Sequence, residues 1–200
     1  MQHLDHRSAQ TRARAAVAPL AGTRAARHSD RRSCPSRSRA AGVTLRPLDE
    51  RNGAVLDRVF AGLSATSRYL RFHAGTPRMT GEVRARLAAV DGIDHIAVGA
   101  FVGDEPLGIA RLIRIGPSRA ELAFEVVDEW HGYGIGTRMV RAVVALGAAA
   151  GITEVVAEVL AGNRPAQRLL AATFPQLSAD RHGPETTFLA RVPDAVPAAA

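Results

Sequence analysis

The chain has 200 residues, a formal net charge of +7, and 46% hydrophobic but only 4% aromatic residues. That length and apolar content suffice for one folded domain with an appended segment. A single cysteine, Cys34, excludes an internal disulfide and a cysteine-based metal site, so no metal is expected.

All 26 basic residues are arginine, and nine of them lie in residues 1–40 against only Asp5 and Asp30. The remainder balances seventeen arginines with seventeen acids, so the folded part is neutral; a nucleic-acid partner is not expected, and its footing would be the Arg-rich tail. The longest apolar run beyond the tail, Val143–Ala150, is too short to span a bilayer. A weak apolar stretch at Ala15–Gly22 is broken by Pro19, which argues against a secretory segment. A cytoplasmic protein without a membrane partner is expected.

Residues 1–40 carry no aromatic residue and no sustained periodicity, and so cannot bury enough apolar surface to offset their ordering entropy. They are expected to form a disordered Arg-rich tail before a domain over 42–192, with 193–200 a flexible C-terminus.

The domain opens with a short strand at Val43–Arg46, ended by Pro47. Val55, Leu56, Val59, Phe60 and Leu63 fall at helical spacing. Ser64–Pro77 reads as a loop, after which Thr80 is an N-cap for a helix presenting Val83, Leu87 and Val90. Residues 95–102, 107–115 and 119–127 are extended runs separated by Gly/Pro turns, the pattern of an antiparallel meander. Ile135–Ala150 is an amphipathic helix, Glu154–Leu160 a buried strand and Pro165–Thr173 a further helix. A weak strand pair at 175–180 and 186–192 closes the domain. The helical crossover should set 154–160 parallel to 119–127. The predicted class is therefore mixed α/β of the α+β kind: a mostly antiparallel sheet with one parallel β-α-β crossover and helices on both faces.

Trp130-His131-Gly132-Tyr133-Gly134-Ile135-Gly136-Thr137 stands between a strand and a helix. Unpaired N–H groups at a helix start, with glycines that let the main chain approach an anion, form a diphosphate cradle. A dinucleotide fingerprint would want a third glycine at 137, where Thr137 stands, and an initial parallel strand rather than a meander. In the preceding strand, Glu121 and Glu125 share one face by the period of two. Charges inside so apolar a strand require either solvent or a task.

His131-Gly132-Tyr133-Gly134-Ile135-Gly136 resembles the Gln/Arg-x-x-Gly-x-Gly/Ala pyrophosphate loop of the GNAT superfamily of N-acetyltransferases, with His131 in place of Gln or Arg. Asn163-Arg164-Pro165-Ala166-Gln167-Arg168-Leu169-Leu170 resembles that superfamily's Asn-x-x-Ala-x-x-Leu/Phe-Tyr segment, with Leu170 in place of the tyrosine. Asn163 reads equally as a helix cap. Ala120-Glu121-Leu122-Ala123-Phe124 is similar to the strand that carries the general base of GNAT lysine acetyltransferases. Leu63–Phe72 is similar to a segment of bacterial Pat-type protein lysine acetyltransferases.

The resemblance implies a GNAT-like fold and acetyl-CoA as co-substrate. It implies that the N–H groups of His131, Gly132, Tyr133, Gly134, Ile135, Gly136 and Thr137 take the pyrophosphate, while Val126 and Val127 pair with the pantetheine arm and Asn163 contacts the coenzyme. Glu121 would be the general base, its pKa raised by apolar neighbours, with Glu125 as the alternative. The implied function is acetyl transfer to a primary amine, a protein lysine or a small molecule. A non-catalytic acyl-CoA-binding module is the contrasting reading.

Overall fold

The computed structural model describes residues 42–73 and 79–192. The expected tail at 1–40 and terminus at 193–200 lie outside the described residues, as does part of the 64–77 loop. Seven strands form one sheet in the order β1-β2-β3-β4-β5-β7-β6. They are β1 (Val43–Pro47), β2 (His95–Val102), β3 (Glu105–Arg114), β4 (Arg119–Val126), β5 (Glu154–Leu160), β6 (Leu177–His182) and β7 (Glu185–Arg191). The helices are α1 (Gly53–Ala61), α2 (Ala65–Phe72), α3 (Gly81–Ala88), α4 (Ile135–Ala149) and α5 (Arg164–Thr173).

β2 and β3 read as near-continuous apolar runs because both of their faces are covered. On one face α4 buries Ile135, Met139, Val140, Val143 and Val144 against Leu107, Ala110, Leu112 and Leu122. Val140 and Val143 are wholly enclosed, and each such burial contributes about 1.5–3 kcal/mol. On the other face Leu56 and Val59 of α1 and Leu87 of α3 pack on Ala97 and Ile109. Helices thus cover both faces, as the pattern implied. The only parallel pair in the sheet is β4 with β5; every other pairing is antiparallel. Among the described residues no helix is long and apolar enough to cross a membrane.

Thr80 caps α3 through the Val83 N–H at 3.3 Å, as its position before the apolar stripe suggested. The expectation of a loop from Ser64 fails over α2. Ser64 Oγ accepts the Ser67 N–H at 3.2 Å and starts a helix there, which ends at His73 in the left-handed region with φ 53°. α2 fully buries none of its residues, although Phe72 packs partly buried on the α1 side with its ring centroid 5.7 Å from that of Phe60.

β3 and β4 approach each other closely at Gly108. A Cβ there would stand 2.5 Å from the Glu125 carbonyl oxygen, 2.8 Å from Met139 Cε and 3.1 Å from Val126 Cα. Backbone cannot yield as a side-chain tip can, so Gly108→Ala should cost about 1–3 kcal/mol of stability. An unchanged urea midpoint for that variant would show that the β3–β4 spacing is not set by this glycine.

Candidate active site

The site is made by a strand that loses one neighbour. β4 stays paired with β3 from Ala120 to Val126. With β5 it shares only Arg119↔Glu154, Ala120↔Val155 and Glu121↔Val156. β5 then continues beside β7 as far as Leu160↔Glu185, so the sheet forks just past Glu121. The Val127 N–H donates to the Leu107 carbonyl at 2.8 Å. Alternation along an antiparallel ladder therefore turns the N–H and C=O of Val126 into the fork. Val127 directs its own N–H toward β3.

At the mouth of the fork, Gly132 (φ 83°) and Gly134 (φ 77°) both take left-handed conformations that side chains rarely adopt. A Cβ at either would meet nothing within 4 Å, so the loop's main chain lies open to approach. Gly134 is the N-cap of α4 and no side chain caps that end. The first amides of the helix, at Ile135, Gly136 and Thr137, thus face the loop without a side-chain partner. Gly136 has a second reason to be glycine, because a Cβ there would strike Leu169 Cδ1 at 2.8 Å, where α5 crosses α4. The rings of Trp130 and Tyr133 pack with centroids 5.5 Å apart. His131 Nε2 donates to the Val126 carbonyl at 2.8 Å, fastening the loop to the open strand edge. Spacing gave no hint of that contact.

Asn163 Oδ1 accepts the Ala166 N–H at 3.2 Å, which is the helix-cap arrangement. Leu170, at the position of the resembled tyrosine, is buried in the core.

The two glutamates of β4 differ sharply. Glu121 is exposed at the base of the fork rather than enclosed by apolar neighbours. Glu125 is buried, and both of its oxygens are taken: Arg111 Nη2 donates to Oε1 at 2.8 Å and Arg71 Nε to Oε2 at 2.7 Å. Arg111 is itself 1% exposed and passes its Nη1 to the Leu87 carbonyl at 3.0 Å. Burial alone would push the Glu125 carboxyl up. The fields of Arg111 and then Arg71, with their hydrogen bonds, outweigh it and hold the group below the ordinary carboxylate value. A carboxylate so held is a poor proton acceptor, whereas Glu121 has solvent and space.

Sequence reasoning missed the two guanidinium partners of Glu125 and the acidic neighbour of Glu121. Arg111 lies on the same strand face as Ile109 by the period of two, so a charge in that apolar run already pointed to a buried partner. Glu158 of β5 gave no such signal. Its carboxyl is pushed up by partial burial, then by Glu121 and Glu185, with His73 pulling the other way. Glu121, Glu158 and Glu185 thus gather negative charge around the fork.

Removing the Glu125 carboxylate would strand two guanidinium groups, one of them fully buried. E125A should therefore cost about 3–5 kcal/mol, while E121Q should stay within about 0.5 kcal/mol of the parent. The folded Glu125 carboxyl titrates below the unfolded one. Its stabilisation is therefore present above the ordinary value of 4.5 and lost as pH falls through the folded value. E125Q should flatten the acid limb of stability against pH. Equal urea midpoints for E125A and E121Q would refute this account of the buried triad.

A fork of one parallel strand pair, with a glycine loop and an uncapped helix at its mouth, can be compared with known proteins. The GNAT domain of S. lividans PAT superposes with a TM-score of 0.69 at 24% identity, covering 74% of this chain and 90% of that one. YncA, a putative acetyltransferase from Salmonella typhimurium with its cofactor acetyl-CoA, gives 0.60 at 15% identity, covering 80% of this chain and 99% of that one. A cAMP-binding acyltransferase from Mycobacterium smegmatis gives 0.52 at 25% identity, covering 80% of this chain and 52% of that one. This chain thus spans about half the length of the mycobacterial protein. The sequence profile of the acetyltransferase (GNAT) family matches residues 65–174, more than half of the chain, and the chain belongs to that family.

Proposed function

We propose that this protein is an acetyl-CoA-dependent N-acetyltransferase that acts on a primary amine, with Glu121 as general base. The observation that carries the reading is the fork itself: an open β4 edge leads from the glycine loop to Glu121. Family membership and the coenzyme complex of a protein of like fold agree with it.

In this reading the diphosphate sits on the main-chain amides from Gly132 to Thr137, where the helix start favours anions, the His131 N–H being held already by the Asp128 carbonyl at 3.1 Å. The pantetheine arm pairs with the N–H and C=O of Val126 as an added strand, bringing the thioester toward Glu121. His131 already donates to that carbonyl, so its ring must share or yield the position. An alkylammonium has a pKa near 10.4, so freeing its lone pair at neutral pH costs roughly 4–5 kcal/mol. Glu121, directly or through a water, takes the proton. The amine nitrogen then bonds to the acetyl carbonyl carbon, and the carbon–sulfur bond breaks to release the thiolate. A thiol with pKa near 8.5 leaves without an acid catalyst, which fits a buried Leu170 where the resembled segment has tyrosine.

The acceptor arrives as a cation, which suits a fork lined by Glu121, Glu158 and Glu185. We take it to be a lysine side chain of a protein, from the likeness of Leu63–Phe72 to Pat-type enzymes. Acetyl-CoA is an intracellular metabolite, so the reading implies a cytoplasmic protein.

Trp130 is the single tryptophan and lies in the loop region, so its fluorescence should report coenzyme binding. Gly134→Val forces a side chain into a left-handed position, and acetyl-CoA affinity should drop at least about tenfold. E121Q should bind acetyl-CoA as tightly as the parent while thiol release with amines falls about 10²–10⁴-fold. The panel should include a lysine peptide and spermidine. Binding without turnover on any amine would make the chain a coenzyme-binding module, and full turnover by E121Q would remove Glu121 from the mechanism.

A further inference from the structure

α2 fully buries no residue, and its apolar contact with the core is Phe72, partly buried with its ring centroid 5.7 Å from that of Phe60. Polar contacts complete its seat. Arg68 lies over the Phe60 ring at 4.4 Å and donates to the Phe60 carbonyl, tying the helix to the end of α1. At the other end, two side chains only two residues apart reach different strands. Arg71 bonds Glu125 of β4 at 2.7 Å, and His73 Nδ1 stands 3.3 Å from Glu185 of β7.

Those two anchor points lie at matching depth. Glu125 is four residues beyond Glu121, the last β4 residue paired with β5. Glu185 opposes Leu160, which is four residues beyond Val156, the last β5 residue paired with β4. Four residues of strand are roughly 13 Å, so each anchor stands about that far from the branch point, one on each limb. The period of two puts Glu121 and Glu125 on one face, and Val156, Leu160 and its partner Glu185 on that face too. It is the face opposite α4, away from the helix that opens at Gly134.

We propose that the last turn of α2 is a cross-tie that bridges the fork and sets the width of the amine's entrance, with Arg71 and His73 as its positioning residues. What passes beneath the tie rests on the transfer reaction proposed above; the tie itself does not. Its two ends differ in kind. The Arg71 end is a buried ion pair, 19% and 3% exposed. The His73 end is more open, 21% and 44% exposed. The charged groups facing His73 are Glu185 on β7 and Glu158 on β5, with Glu121 of β4 next to Glu158 and Arg71 on its own helix. The tie is therefore firm on the β4 side and looser on the β7 side.

Hydrogen exchange read by mass spectrometry on the full chain, corrected for intrinsic rates, tests the tie without any ligand. H73Q and E185Q should each raise exchange of the amides of residues 65–73 about threefold, a size typical of a partly exposed pair. R71M keeps the Arg111–Glu125 pair and so should fold, yet exchange in α2 should rise about tenfold, with R71K recovering part of the protection. Unaltered α2 exchange in R71M, or in both H73Q and E185Q, would overturn the proposal.

A kinetic arm separates positioning from scaffolding. With whichever amine of the panel turns over, H73Q should raise the KM for that amine about threefold, leaving the KM for acetyl-CoA unchanged. Equal effects on both substrates would also count against the tie. Failure of every amine to react would defeat the transferase reading, while exchange would still decide the tie.

Discussion

β4 and β5 share three residue pairs and then part, and the site depends on that brevity. A longer ladder would satisfy the Val126 amide and carbonyl within the sheet and leave nothing for a ligand to pair with. The parting leaves a strand edge inside a domain, where unpaired backbone groups are costly. The neighbouring structure manages the exposed edge from both sides. His131 takes the Val126 carbonyl, and Arg71 and Arg111 pin the strand from the face opposite α4 through Glu125. The opening is thus a held shape, not slack at the end of a sheet.

Sequence pattern was most informative where burial is periodic. The meander, the α4 crossover and the parallel placement of β5 followed from runs whose apolar positions repeat at two or near 3.6. Glu121 and Glu125 were legible as a pair on one face, and a resemblance ranked Glu121 first, but spacing cannot tell which carboxylate meets a counter-ion. Only the third dimension sets Arg111 and Arg71 against one and leaves the other to solvent. The contribution of α2 was hidden for a related reason. Phe72 packs beside Phe60, but the ion pairs that complete the helix's seat span more than fifty residues of sequence, which no local window registers.

The glycines of the loop show two uses of a missing side chain. Gly132 and Gly134 serve conformation and access, with open space where a Cβ would be. Gly136 serves contact between helices, since Leu169 occupies that space. The same letters in one short motif therefore answer to different constraints, and substitutions there should fail for different reasons.

Most of the ion pairs described in this domain, among them Arg71 and Arg111 with Glu125, Arg84 with Asp57, and Arg119 with Glu154, are guanidinium pairs, His73 with Glu185 being an exception. The chain contains no lysine at all. A guanidinium stays protonated and delocalised at any physiological pH, so it does not present the free lone pair an acyl donor requires. A catalyst of amine acetylation built in this way offers its own chemistry no ε-amino group. Its scaffold keeps its charges however much acetyl-CoA surrounds it.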